Sequence, residues 1–423
     1  MLFRPGRKAR FQFSKTDLKK VDEMNAPISA ATTTLLPWRD AEFRMNPFPW
    51  YDTLRKQAPV YKDPTEENTY IVSRYEDVVA FGRHPSLTMK APSWVDKGAW
   101  GLFKDCIIVR DPPEHTALRR RSNKWFTPKM ANQWAEASAE AVGKVIDELG
   151  PQGNVEAYRN LALIPAHHAM CKALGLPNDG YDTASAYMMD CMIALGSDVT
   201  PAEADRCQTA FDYLQDRVTQ YLDMRRETPS EGMVSSWLDL VAKGEMTPTQ
   251  LNDGVMLFWA TGTPNAAYLI TGGLEIFARK PEVFDLWRSE PSQRKAILDE
   301  VARLHTAEMS FDRFTTEPLD INGQIIPAGM HVRFMIASAN RQPELFEDPH
   351  EFRLDRSADT PPHLSFGIGP HSCPGMVIAQ AEAHAVFNLL TERLTRVELA
   401  GAPIYGHDDR SARYRRLPLR LVA

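Results

Sequence analysis

Cysteine is scarce in this chain. Five residues, Cys106, Cys171, Cys191, Cys207 and Cys373, are spread irregularly over 423 positions, and no C-x-x-C pair exists. An odd, scattered set excludes a disulfide framework and a zinc ribbon, and it fits a reducing cytosol. Four of the five stand in helix-like segments, where a buried free thiol is the ordinary reading. Long hydrophobic runs are missing too. No stretch reaches the roughly 18 consecutive apolar residues of a membrane span, and the N-terminus lacks the apolar core of a secretory signal. The expected location is therefore cytoplasmic. Charge of one sign is not in excess: 49 basic and 55 acidic residues leave a formal charge of −6, which gives no reason to expect nucleic acid. Internal repeats and low-complexity segments are absent. What remains is ordinary globular composition, 43% hydrophobic and 25% charged, in a chain long enough for a large core.

Residues 1–36 read as a basic arm outside that core. Seven cations in the first twenty positions (Arg4, Arg7, Lys8, Arg10, Lys15, Lys19, Lys20) face one acid, Asp17. A solvated arm is the simplest account, with surface docking as the alternative. Residues 37–423 read as one domain. "APVYKD" and "NTYIVSR" predict a short strand pair, and "YEDVVAFGRHP" a short helix closed at Pro85. Helical patterns dominate 111–306, with a stop at Gly244 and a threonine-capped restart that opens the longest one, 248–280. Pro264 should break that helix, since proline cannot bond the carbonyl of Ala260. Asn322-Gly323 marks a hairpin turn, and "GMVIAQAEAHAVFNLLTERL" predicts an amphipathic helix. The fold class is mainly α with small β-sheets.

The residues that carry chemistry cluster in "FGIGPHSCPG", 366–375. Gly367 and Gly369 permit positive φ and close approach of a flat partner. Cys373 stands where a helix N-cap would be, with Pro374 at the first helical position, so the positive helix end should lower the thiol pKa. Three readings fit this loop: a structural cysteine, a nucleophile with His371 as its base, or a thiolate ligand to haem iron.

Phe366-Gly367-x-Gly369-x-His371-x-Cys373-x-Gly375 resembles the haem-binding loop of the cytochrome P450 superfamily. The resemblance extends along the chain. Glu300-Val301-Ala302-Arg303 is similar to the family's E-x-x-R helix, and Arg356 in "FRLDR" stands where relatives supply a third partner to a structural network. "DPPEHTALRRR" looks like the helix that meets the haem propionates. It implies cofactor contacts for His115 and Arg119, joined by Arg313 and His371, with Phe366, Gly367 and Gly375 in the loop itself. Carboxylate propionates call for cationic donors. The resemblance thus implies haem b, bound through Cys373, in a fold with the cofactor between the long distal helix and the Cys-loop helix.

One departure stands out. Counting back 35 residues from Glu300 places Asn265 where relatives carry the alcohol of an acid–alcohol pair, with Pro264 in place of the acid and Gly262 retained. Thr261 and Thr263 are the nearby hydroxyls. The implied activity is that of a soluble, bacterial-type haem-thiolate monooxygenase, expected to be a monomer. It would activate dioxygen with electrons from a ferredoxin and its NAD(P)H-dependent reductase, and hydroxylate or O-demethylate a small hydrophobic molecule. Arg120, Arg121 and Lys124 form a basic stripe for that acidic partner. Substrate-pocket candidates are Trp94, Phe103, Leu257, Ala260, Met309 and Phe311, with Trp100, Met189, Met192, Ile404 and Tyr405 behind them. The missing acid keeps open a peroxide-driven enzyme or a haem-thiolate isomerase. A non-catalytic haem-thiolate sensor is a third class, although no output domain is visible in the sequence.

Overall fold

The computed structural model describes residues 34–92, 106–150, 152–193, 199–407 and 410–423. Trp94, Trp100, Phe103 and nearly all of the basic arm lie outside the described residues. The chain separates into Met1–Thr34 and Leu35–Ala423, and the larger unit holds everything below.

The strand pair lies at Val60–Lys62 (β1) and Thr69–Val72 (β2), antiparallel. It continues into a five-stranded sheet with Leu87–Thr88 (β3), Phe311–Thr315 (β4) and His331–Phe334 (β5), in the order β1-β2-β5-β4-β3. The β4–β5 register sets Asp312 opposite Arg333 and Arg313 opposite Val332. The Asn322-Gly323 turn joins Leu319–Ile321 to Gln324–Ile326; both turn residues have positive φ, 54° and 86°, as a tight two-residue hairpin requires.

Helices make up the larger part. Those that position the site are α1 (Glu114–Asn123), α2 (Pro128–Leu149), α3 (Ile164–Leu174), α4 (Tyr181–Ile193), α5 (Pro201–Glu227), α6 (Pro248–Arg279), α7 (Arg294–Leu304) and α8 (Met376–Arg393). α8 lies along α2, while α6 crosses α3, α4, α7 and α8 through the centre. α6 starts at a capping box: Thr247 accepts from the Gln250 N–H, and the Gln250 side chain accepts from the Thr247 N–H. Its 32 residues span about 48 Å. Pro264 does not break it. The helix runs through unbroken because proline removes one bond, while fully buried Trp259 and Ala267 on either side hold the rod in the core.

The start of α8 also differs from expectation. Its first residue is Met376 and its N-cap is Gly375, so Cys373 is not the cap. The Cys373 N–H donates to the Phe366 carbonyl at 2.8 Å. That bond closes the loop on itself and leaves Pro374 and Gly375 as the turn that leads into the helix. Gly367 and Gly369 both adopt φ of 70°, which this closure requires of them.

Candidate functional site

The loop is fixed from behind by α7. Glu300 accepts from Arg303 at 2.7 and 2.8 Å and from Arg356 at 2.8, 3.0 and 3.1 Å, and its Oε1 also takes the Arg353 N–H at 3.0 Å. Arg303 spends its other donors on the carbonyls of Asn340, Pro349 and Glu351. Burial opposes the charge on Glu300, yet the two guanidinium groups hold its carboxyl below the usual range. Asn340 then bonds Thr306, Ser365 and the Leu364 N–H, and Ser365 reaches the Ala302 carbonyl at 2.6 Å. The Cys loop is thereby tied to the helix that carries Glu300 and Arg303.

In front of the loop lies a cavity. Phe366, Gly367, His371, Cys373, Pro374 and Gly375 form one wall; Leu257, Phe258, Thr261, Gly262 and Asn265 of α6 form the facing one. Cys373 is exposed onto this space. Burial pushes its thiol up, against the earlier expectation of a lowered value. The N–H groups of Gly375 and Met376 and the charge of Arg119 act in the opposite sense.

Cationic and imidazole groups gather along one side. Arg119 and Arg313 both line the cavity. Arg119 donates to the Ser372 carbonyl at 2.8 Å. Arg313 donates to the Asp312 carbonyl at 2.7 Å and meets Met89 Sδ at 2.9 Å. Burial draws Arg313 down to about 10. The rings of His115 and His371 lie 4.1 Å apart. A ring N–H of His371 donates to the Arg110 carbonyl. Burial first, then Arg313, pushes His371 down to about 3, so it is neutral. Nδ1 of His115 and Nε2 of His371 are buried without a hydrogen-bond partner among the described residues. Two orphaned ring nitrogens beside two guanidinium groups call for an anion with several acceptor oxygens.

On α6 the lining residues occupy one half of the helix circumference. Ala260 and Thr263, at about 100° per residue, fall on the other half and are buried in the core. They are not pocket residues. Met309 is not one either: it is buried with Trp38, Ile71 and Met335 in a separate core cluster. Phe311, two residues on, does line the cavity, and so does Met192. Met189 instead accepts from the Tyr268 hydroxyl, Ile404 is exposed, and Tyr405 faces a different hollow. Thr261 donates to the Leu257 carbonyl at 2.8 Å. Met89, Met170, Glu308 and Arg410 line the cavity without having been anticipated. Single residues of these types carry no periodic or motif signal.

The sequence profile of the family described as Cytochrome P450 matches residues 55–398. The chain belongs to the cytochrome P450 family. Among relatives, Cytochrome P450 109 of Bacillus spizizenii is 27% identical over 372 residues, covering 87% of this chain and 88% of the relative. Steroid C26-monooxygenase of Rhodococcus jostii is 25% identical, covering 84% and 78%. In three dimensions the fold is similar to that of P450BioI in complex with an acyl carrier protein ligated to hexadec-9Z-enoic acid (TM-score 0.82, 22% identity, 90% of this chain and 100% of the other). It is also similar to that of epothilone B-bound P450epoK (TM-score 0.82, 23% identity, 91% and 99%).

This P450 is an oxidoreductase of the monooxygenase type, and its cofactor is haem. The residues present fit that group. A cavity lies between α6 and a thiol-bearing loop, and the orphaned nitrogens of His115 and His371, with Arg119 and Arg313, match a pair of carboxylates. No helix among the described residues is long and apolar enough to cross a membrane.

Proposed function

We propose that this P450 inserts one oxygen atom of dioxygen into a small hydrophobic molecule, by hydroxylation or O-demethylation, with electrons from a ferredoxin and its NAD(P)H-dependent reductase. Residues 37–423 form the catalytic domain. The observation that carries the reading is the placement of Cys373 on the cavity wall opposite Thr261, Gly262 and Asn265, with His115, Arg119, Arg313 and His371 at its polar side.

Cys373 would hold the haem iron through its sulfur, and His115, Arg119, Arg313 and His371 would hold the propionates. Bound there, haem supplies the redox chemistry that activates dioxygen. Phe366, Gly367 and Gly375 let the macrocycle approach the loop. The Gly375 and Met376 N–H groups stabilise negative charge on the sulfur. Glu300, Arg303 and Arg356 keep the loop at its distance from α7. Leu257, Phe258, Phe311, Met89, Met170 and Met192 exclude water and favour an apolar substrate. The amide of Asn265 is a hydrogen-bonding group for substrate or for oxygen, not an acid. The basic stripe on α1 receives the acidic electron donor.

A peroxide-driven reaction is the second reading, favoured by one feature: α6 offers no acid at Pro264 or Asn265. Two measurements decide. A ligand screen by haem absorbance should yield a shift of the Soret band with apolar molecules. Turnover of the best ligand should then require ferredoxin, reductase and NAD(P)H. Turnover at an equal rate with hydrogen peroxide alone would replace the first reading by the second.

A further inference from the structure

Dioxygen chemistry of this kind consumes protons. Overall, RH + O2 + 2 electrons + 2 protons gives ROH + H2O: the oxygen–oxygen bond breaks, one oxygen enters a C–H bond, and the other leaves as water. The electrons come from the reduced ferredoxin of the proposed function, on which this inference rests. Both protons must cross a cavity with largely apolar walls, and neither acid of α6, Asp253 or Glu275, lines it.

The polar groups that line the cavity differ in what they can do. Thr261 spends its hydroxyl hydrogen on the Leu257 carbonyl. Asn265 is an amide. His305 is drawn down to about 4 by burial, so it carries no charge at neutral pH. Asp312 is held by His331 Nε2 at 2.9 Å, by Arg333 Nε at 3.2 Å and by Arg410. His115, Arg119, Arg313 and His371 belong to the anion side.

We propose that Glu308 is the proton-relay carboxylate of this cavity, positioned by Arg410, and that it replaces the acid missing from α6. Glu308 follows α7 and lines the same space as Asn265 and Cys373. Its Oε2 lies 3.2 Å from Arg410 Nε. The backbone fixes the same pairing: Glu308 bridges Ser411, and the Met309 N–H donates to the Arg410 carbonyl at 2.6 Å. Arg410 also contacts Asp312, which Arg333 and His331 face from β5. Two guanidinium groups therefore stand against the two carboxylates, so a charge on Glu308 would not be isolated in an apolar site. An ionised carboxylate can take a proton from water at Oε and release it into the cavity, returning to its first state at each turn.

Cyanide binding tests this without substrate, ferredoxin or turnover. Hydrogen cyanide must lose a proton to bind ferric haem, whereas carbon monoxide binds ferrous haem with no proton transfer. Glu308→Gln keeps the shape and removes the base. It should slow cyanide association by roughly tenfold or more, given the size of general acid–base effects, and leave carbon monoxide association unchanged. Glu308→Asp should recover part of the cyanide rate. Unchanged cyanide association overturns the inference, and so does equal slowing of both ligands, which would mean altered pocket shape. A wild-type protein without the carbon monoxide band of a thiolate haem would overturn the haem reading, and this inference with it.

Discussion

At the scale of single residues, Gly262 shows how closely α6 is fitted to its neighbours. A Cβ at this position would stand 2.2 Å from Met170 Cε, the far end of a flexible side chain that also lines the cavity. Gly262→Ala should therefore fold, displace Met170 and narrow the space over Cys373. We expect unchanged binding of imidazole and weaker binding of phenylimidazoles, by about tenfold for a displaced side chain worth ~1–2 kcal/mol. Equal affinity for both ligand sizes, read by Soret titration, would contradict this. Residues in spaced motifs were legible in the sequence at this scale. Cys373, His371, His115 and Arg313 each sit in a pattern, and the fold brings all four to one cavity. Residues offered on periodicity or proximity fared unevenly. Leu257 and Thr261 line the cavity while Ala260 does not, because a face inferred from i, i+3 and i+4 is wider than the arc that meets the pocket. Met309 and Phe311 differ although both were candidates: Met309 lies before β4 and is buried with Trp38 and Met335, whereas Phe311 opens β4 and lines the cavity. Glu308 was invisible, since a lone acid five residues after Arg303 looks like any surface charge until Arg410 arrives from the far end of the chain.

At the scale of elements, α6 and α7 carry the claims. Pro264 removes one α6 bond but leaves the helix continuous. An interior proline costs about 3 kcal/mol and the buried ring returns roughly 1 kcal/mol through packing. Pro264→Ala should then raise stability by about 2 kcal/mol in denaturant unfolding, and a variant less stable than wild type would show that the freed carbonyl has a partner worth more. On α7 the network around Glu300 sets an acid limit. Its carboxyl is depressed in the folded state, so its contribution is complete above the ordinary glutamate value of about 4.3 and is lost as pH falls through the depressed one. Glu300→Gln leaves two guanidinium groups without their carboxylate and should cost about 3–5 kcal/mol at neutral pH. The difference from wild type should shrink in acid. A pH-independent difference would mean that packing, not charge, is what the variant loses. The order of these elements was legible, because caps, glycine stops and hairpin turns are local. The exact start of α8 was not: the Cys373 bond to the Phe366 carbonyl is a loop contact that no helix signal announces.

At the scale of the whole molecule, a P450 must present a surface to its electron donor as well as a pocket to its substrate. At the end of α1, Arg121 is committed to Gln250 and the following Lys124 to Ser236, while Arg120 is exposed. Arg120→Glu should raise the KM for an acidic ferredoxin by roughly tenfold at low salt, with the gap closing as ionic strength rises. A KM that does not move would place the donor elsewhere. The central claim, however, is that Cys373 holds the haem iron as a thiolate. The direct measurement is the difference spectrum of the dithionite-reduced protein with carbon monoxide, for wild type and for Cys373→His. Wild type should show the red-shifted Soret band of a thiolate-ligated haem, and Cys373→His should lose it for the band of an imidazole-ligated haem. A wild-type band at the imidazole position, or a thiolate-type band that survives the substitution, would contradict the account.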